Sequence, residues 1–290
     1  MAEHTHNVAS LTAARRLADH VRENPPHTLA VVGGGLTGVE VATEFAESHP
    51  DLRVELITRG RVGAGGGDRG RDHMRRSLDR LGVAVREHTE VSRVDTAGLD
   101  LDDGGRVDAD VVVWNAGFGV RGPLATAGSS VDDGGRALVD AGQRSVSHPE
   151  VLVVGDAAHV RAVDGRELRM SCAMGLPMGW NAADTVADAL DGSDTGVGRT
   201  HRGPGLGYLF QCVSLGRGDG LVQFVRGDDT PTRFVLTGRP AALYKEFIVA
   251  AAYGGLRGGQ ARPDLYLRLA RWSCRRSRHR HHARAGALTA

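Results

Sequence analysis

The stretch Leu29-Ala-Val-Val-Gly-Gly-Gly-Leu-Thr-Gly-Val-Glu-Val-Ala42 decides how the rest of the chain is read. Residues 29–32 are a short apolar run, which predicts a buried strand. Gly33, Gly35 and Gly38 follow in the G-x-G-x-x-G spacing, and residues 39–47 continue with helical periodicity through Val39, Ala42, Phe45 and Ala46. Each glycine has a physical task in a strand-to-helix turn: the first allows the tight bend, the second lets a pyrophosphate approach the backbone, and the third lets helix and strand pack closely. The helix amino end adds unpaired N–H groups and the positive end of its dipole, both suited to phosphate. With 41 glycines in the chain the spacing alone is weak. The strand before it and the helix after it give it the context of a dinucleotide site.

Working outward, residues 10–21 predict an amphipathic helix with Leu11, Ala14, Leu17, Ala18 and Val21 on one face. Residues 53–57 read as a second parallel strand, which completes a βαβ unit. A glycine- and arginine-rich loop over 59–71 leads to a helix over 72–81. Short strands follow at 83–86, 91–94, 98–101 and 106–107, with a hairpin turn at Asp103-Gly-Gly. The apolar runs 109–114 and 151–154 read as buried strands, the second ending in Gly155-Asp156-Ala-Ala. Pro177 is expected to open a helix reaching residue 190, since proline suits a first turn. Beyond a linker at 191–207, strands are expected at 209–214, 221–225 and 233–236, and helices at 241–252 and 264–272. The arginine- and histidine-rich end, 273–290, has no apolar pattern and reads as a disordered tail.

Composition excludes several classes. The net charge is +1, and Lys245 is the one lysine among 36 basic residues, so arginine usage reflects codon bias and not a nucleic-acid surface. Cys172, Cys212 and Cys274 lie far apart, which suggests neither a redox dithiol nor a metal site. With no leader-like apolar segment near Met1 and no run of membrane-spanning length, the expectation is a cytoplasmic protein.

Three stretches in order, Val31 to Glu40, Val111 to Phe118 and Ser147 to Ala158, resemble the two-dinucleotide flavoproteins. These are the pyridine nucleotide-disulfide oxidoreductases and, more closely, the type II NADH dehydrogenase-like proteins. The resemblance implies an α/β architecture: a Rossmann-like NAD(P)H domain (24–118) inserted in a partial FAD domain (119–190), then an α+β part (207–272) and the tail. It implies that Gly33, Gly34, Gly35, Leu36, Thr37 and Gly38 bind the NAD(P)H pyrophosphate, with Gly117 near that cofactor. Gly155 and Asp156 would hold the ribityl or phosphate region of FAD, and the helix from Pro177 would aim its positive end at the flavin. Glu40 matches a carboxylate near the flavin–nicotinamide stack, a catalytic candidate whose plainer reading is a dipole-stabilised helix acid. Cys172 could touch the flavin or be a buried hydrophobe.

The implied function is an oxidoreductase passing hydride from NAD(P)H to FAD and on to a small-molecule acceptor. Quinone is in doubt because Ser171-Cys-Ala-Met-Gly-Leu-Pro stands where that family carries paired glutamines. The family's own FAD fingerprint is expected before residue 29, where this chain has one helix and a polar start; the expectation is a truncated or split protein. The alternative function is a catalytically incomplete nucleotide-binding remnant. The helix over 264–272 with Arg275, Arg276, Arg278, Arg280 and Arg284 would suit either a peripheral membrane contact or a packed helix with a loose tail.

Cofactor choice is expected at the end of the second strand. An acid there bonds the ribose 2′-OH in NAD-specific units, whereas this chain has Thr58, then Arg59 and Arg61. With no carboxylate to repel a 2′-phosphate, the expectation is a modest preference for NADPH.

Overall fold

The computed structural model describes residues 4–117, 119–120, 122–161, 165–192, 207–258 and Trp272. In chain order the elements are α1 (Leu11–Glu23), β1 (Thr28–Val32), α2 (Leu36–Ser48), β2 (Arg53–Ile57), α3 (Asp68–Arg80), β3 (Ala84–Arg86), β4 (Val91–Asp95), β5 (Gly98–Leu101), β6 (Arg106–Asp108) and β7 (Val111–Trp114). They continue with α4 (Pro123–Thr126), β8 (Ala137–Leu138), β9 (Ala158–His159), α5 (Cys172–Leu190), β10 (Phe210–Ser214), β11 (Gly220–Val225), β12 (Pro231–Thr237) and α6 (Arg239–Gly258). The expected helix over 264–272 lies, apart from Trp272, outside the described residues, as does the tail. No helix among the described residues is long and apolar enough to cross a membrane.

The chain divides into two compact units. The first takes residues 4–117, 210–224 and 231–258 of those described. Its centre is a parallel sheet in the order β3-β2-β1-β7. Leu29 pairs with Val54 on one side and Val111 on the other. β1 and β7 are almost wholly apolar because both of their faces are covered. Leu29, Val31, Leu56 and Val113 pack with Val39 and Ala42 of α2 and with Met74 and Leu78 of α3. Their neighbours Ala30, Val32, Ile57 and Val112 face the other way, onto Val94, Leu99 and Val107 of the antiparallel sheet β4-β5-β6. Asp110 fastens the entry to β1: one carboxylate oxygen accepts the amides of His27 and Thr28 at 2.8 and 2.9 Å. Hydrogen bonds from the Thr28 and His27 amides hold that carboxyl below the usual carboxylate range.

α3 begins at Asp68, four residues before the expected start, because Gly67 provides an extended cap and Asp68 pairs with Arg71 one turn on. The strands β10-β11-β12 form an antiparallel sheet, with Phe210 opposite Phe224 and Ser214 opposite Gly220. Asp219, buried just before β11, accepts hydrogen bonds from Ser77 Oγ at 2.7 Å, Arg80 at 2.7 Å and the amides of Gly220 and Gly238. His73 Nε2 lies 2.9 Å from the same carboxylate. These contacts tie α3 to the β11 and β12 turns.

The second unit takes residues 119–209, 225–230 and Trp272 of those described. β8 and β9 pair in parallel, and Ala137, Val153, Ala158, Val160, Met174, Met178 and Tyr208 form its core. Two expectations are corrected here. Residues 151–154 are not a buried strand: Leu152 makes one isolated bridge to Arg144, Val153 is buried, and Val151 and Val154 are exposed. An apolar run becomes a strand only where a neighbour supplies a ladder, and among the described residues that ladder is a single bridge. Pro177 does not open its helix. The Ser171 carbonyl accepts the Gly175 amide at 2.9 Å, closing a turn that starts α5 at Cys172, and Pro177 is buried as its sixth residue.

Candidate functional site

The chain from β1 into α2 shows what each glycine permits. Gly33 has φ +119°, and a Cβ there would stand 2.8 Å from the Asn115 carbonyl. A Cβ on Gly34 would stand 2.8 Å from the Thr58 side chain, and one on Gly38 only 1.8 Å from the Gly33 carbonyl oxygen. These positions are glycine because backbone or a buried side chain fills the space. Gly35 differs. Its φ of −68° and ψ of 173° suit any residue, and a Cβ there would have no atom within 4 Å. Gly35 also caps α2 without a side-chain acceptor, so the first-turn amides of Leu36, Thr37 and Gly38 have no intrahelical partner.

Gly33, Gly34 and Gly35 line a cavity of about 520 Å³ at the carboxyl ends of β1, β2 and β7. β1 lies between β2 on one side and β7 on the other, the crevice where open α/β sheets bind ligands. The walls are Gly33, Gly34 and Gly35; Thr58, Arg59 and Arg61 after β2; Thr89 and Glu90 between β3 and β4; and Trp114, Ala116 and Gly117 after β7. Gly117 has φ +87° with open space where a Cβ would be. The loop after β2 is well anchored. The Val62 amide donates to Glu87 at 2.8 Å, the Gly63 amide to the Gly34 carbonyl at 2.9 Å, and the Thr89 amide to the Thr58 carbonyl at 3.0 Å.

The sequence-predicted residues therefore separate into groups. The structure brings Gly33, Gly34, Gly35, Thr58, Arg59, Arg61 and Gly117 to one cavity, with Leu36, Thr37 and Gly38 opening α2 beside it. Thr58 is buried against Gly34. Glu40 sits one turn into α2, where its carboxylate accepts the Ser214 amide at 2.9 Å and pairs with Lys245 Nζ at 2.8 Å, linking α2 to β10 and α6. Gly155, Asp156 and Pro177 belong to the second unit. Asp156 is exposed on a 3-10 turn, Gly155–Ala157, and not at the end of a strand. Gly155 has φ +64°, and a Cβ on it would touch Gly175 Cα of α5 at 3.7 Å. Thus an exposed carboxylate stands beside the first turns of a helix whose cap, Ser171, makes no side-chain bond to the helix amides.

The sequence reading missed Glu90. Its carboxylate lines the same cavity and lies 3.9 Å from the Arg59 guanidinium. The expectation for cofactor choice considers only the end of β2, and the structure adds this carboxylate to the same cavity wall. Glu90 is 32 residues from Thr58 in sequence and reaches the cavity through the pairing of β3 with β2 and of β4 with β5. The backbone holds it there: the Glu90 amide donates to Asp102 Oδ1 at 3.2 Å, and its carbonyl accepts the Asp102 amide at 3.0 Å.

Comparison with known proteins agrees with this geometry. Residues 1–185 match the family model described as pyridine nucleotide-disulphide oxidoreductase. An NADH dehydrogenase-like protein of Mycobacterium tuberculosis is 31% identical over 207 residues, covering 66% of this chain and 52% of the relative. The ferredoxin–NAD(+) reductase component of the Paraburkholderia xenovorans biphenyl dioxygenase system is 33% identical over 169 residues, 52% of this chain and 39% of that protein. The chain spans about half the length of the first of these, and less of the second. Among solved structures, an FAD-dependent pyridine nucleotide-disulphide oxidoreductase from Desulfovibrio vulgaris superposes with a TM-score of 0.59 at 21% identity, over 76% of this chain and 55% of that one. At that identity the likeness speaks for the fold.

Proposed function

Because this chain belongs to the pyridine nucleotide-disulphide oxidoreductase family, we propose that its parallel-sheet unit binds NAD(P)H. We propose further that the protein acts as an FAD-dependent oxidoreductase, taking hydride from NAD(P)H and delivering electrons to a small-molecule acceptor. The observation that carries the reading is Gly35: the one position of the glycine fingerprint with open space in front of it, at the bare amino end of α2, in a 520 Å³ cavity. A pyrophosphate needs such a place, with backbone amides within reach and no side chain in between.

The bound cofactors would supply the hydride chemistry themselves, from nicotinamide to flavin. The chain's part is to bind and orient. The amides of Leu36, Thr37 and Gly38 neutralise the pyrophosphate, assisted by the positive end of the α2 dipole. Arg59 and Arg61 hold the adenosine side, and Gly117 leaves room for close approach at the end of β7. In the second unit, Gly155 and Asp156 fit in kind the flavin side of such a site: Asp156 offers an exposed carboxylate acceptor beside the amino-terminal turns of α5, which contain Pro177.

The alternative is a remnant that binds nucleotide without turning over. Full-length chain incubated with FAD and then given NADH or NADPH with a dye acceptor separates the two. The proposed function predicts nucleotide-dependent dye reduction that requires added or co-purified FAD. Tight nucleotide binding with no flavin retained and no dye reduced would establish the remnant.

A further inference from the structure

We propose that Glu90, working against Arg59, is the residue that discriminates between a ribose 2′-hydroxyl and a 2′-phosphate in this cavity. The proposal rests on the nucleotide-site reading and deepens it. The residue that follows β2, where an acid would mark an NAD site, is Thr58, and it is turned inward against Gly34. The charges on that wall come instead from two loops, Arg59 and Arg61 after β2 and Glu90 before β4.

The Arg59–Glu90 pair is loose, at 3.9 Å, with the two side chains 82% and 55% exposed. Such a pair contributes little to stability and yields readily to a competing anion. A 2′-phosphate entering here gains charge-assisted hydrogen bonds from Arg59 and Arg61. It must also take Arg59 from Glu90 and then lie beside a carboxylate whose backbone is held by Asp102. A 2′-hydroxyl carries no charge, so it escapes that penalty and forgoes the charge-assisted bonds. The opposing terms leave the wild type serving both nucleotides, and Glu90 holds back the NADPH side.

The test is a set of binding titrations on the full chain with NADH and with NADPH, read by calorimetry and independently by quenching of tryptophan fluorescence, since Trp114 lines the cavity. Wild type should bind the two within about tenfold of each other. Glu90→Gln should tighten NADPH about fivefold, the effect of removing one like charge near 4 Å in water-like surroundings, and leave NADH within twofold. Arg59→Ala should weaken NADPH by several-fold more than it weakens NADH, since only NADPH carries the 2′-phosphate. The Glu90→Gln gain should shrink in about 1 M salt, where the screening length is about 3 Å. Equal changes for both nucleotides in Glu90→Gln, or none for NADPH, would overturn the role of Glu90 while leaving the nucleotide site standing. Failure of the wild type to bind either nucleotide would overturn the site reading, and this inference with it.

Discussion

Replacing Gly35 and Gly38 separately by alanine should divide binding from folding. In Gly35→Ala the new methyl meets nothing within 4 Å and the backbone is already in a region open to any residue. Alanine caps a helix less well than glycine, by about 1 kcal/mol or less. It also restricts the unfolded chain, which returns about 0.4–1 kcal/mol. The folded state should therefore be nearly unchanged. The methyl does occupy the space a pyrophosphate needs, and loss of one charge-assisted hydrogen bond costs about 1.5–3 kcal/mol, or roughly 10- to 150-fold in affinity. Gly38→Ala behaves in the opposite way. Its Cβ would stand 1.8 Å from the Gly33 carbonyl oxygen, so α2 must move off the β1 turn. Overpacking of this kind costs about 1–3 kcal/mol, partly offset by about 1 kcal/mol of helix propensity. The net loss should lower the melting temperature by about 2–4 °C per kcal/mol. Thermal unfolding and NADH or NADPH titration of both variants give the four numbers required. A Gly35→Ala protein that binds like wild type, or melts as low as Gly38→Ala, would refute the argument.

Asp219→Asn should cost about 3 kcal/mol by urea unfolding, since a buried carboxylate with three side-chain partners and two amide donors loses its charge and one acceptor. Burial alone would raise the Asp219 carboxyl, but bonds from Ser77, Arg80 and His73 outweigh it and hold it well below the usual range. Its stabilising effect is thus complete above about pH 4, the unfolded value, and fades as pH falls below that; the variant should show a flatter acid limb in urea midpoint against pH. Glu40→Gln should leave nucleotide affinity within twofold and lower stability by about 1 kcal/mol, because the carboxylate serves Ser214 and a partly exposed Lys245. A collapse of nucleotide affinity in Glu40→Gln would instead place that carboxylate in the binding machinery.

What the sequence made legible was local. Val54, Leu56 and Ile57 between turn signals marked β2 to the residue, and the spacing of Gly33, Gly35 and Gly38 marked the β1–α2 turn because Gly33 and Gly38 each answer a clash within a few residues or across one strand, while Gly35 leaves open space. What escaped depended on distant partners. Residues 151–154 have the composition of a strand, but a strand is a pairing, and here the ladder is one bridge. Pro177 follows the first-turn preference in isolation, yet Ser171 closes the turn earlier. Glu90 carries no local signal: it is one acid in a turn until β3 pairs with β2 and sets it beside Arg59. The Glu40–Lys245 contact joins residues 205 apart. A cue for Glu90 existed only in combination, as a carboxylate just before the strand that follows β3, in a chain whose β2 ends without one.

Hydrogen exchange of the full chain, with and without saturating NADH or NADPH, tests the nucleotide site most directly, because it locates the ligand without relying on turnover. The account predicts slowed exchange at the amides of Gly35 to Gly38 and of Thr58 to Arg61, with little change in β10 to β12. Protection confined to other segments, or none at saturation, would contradict it.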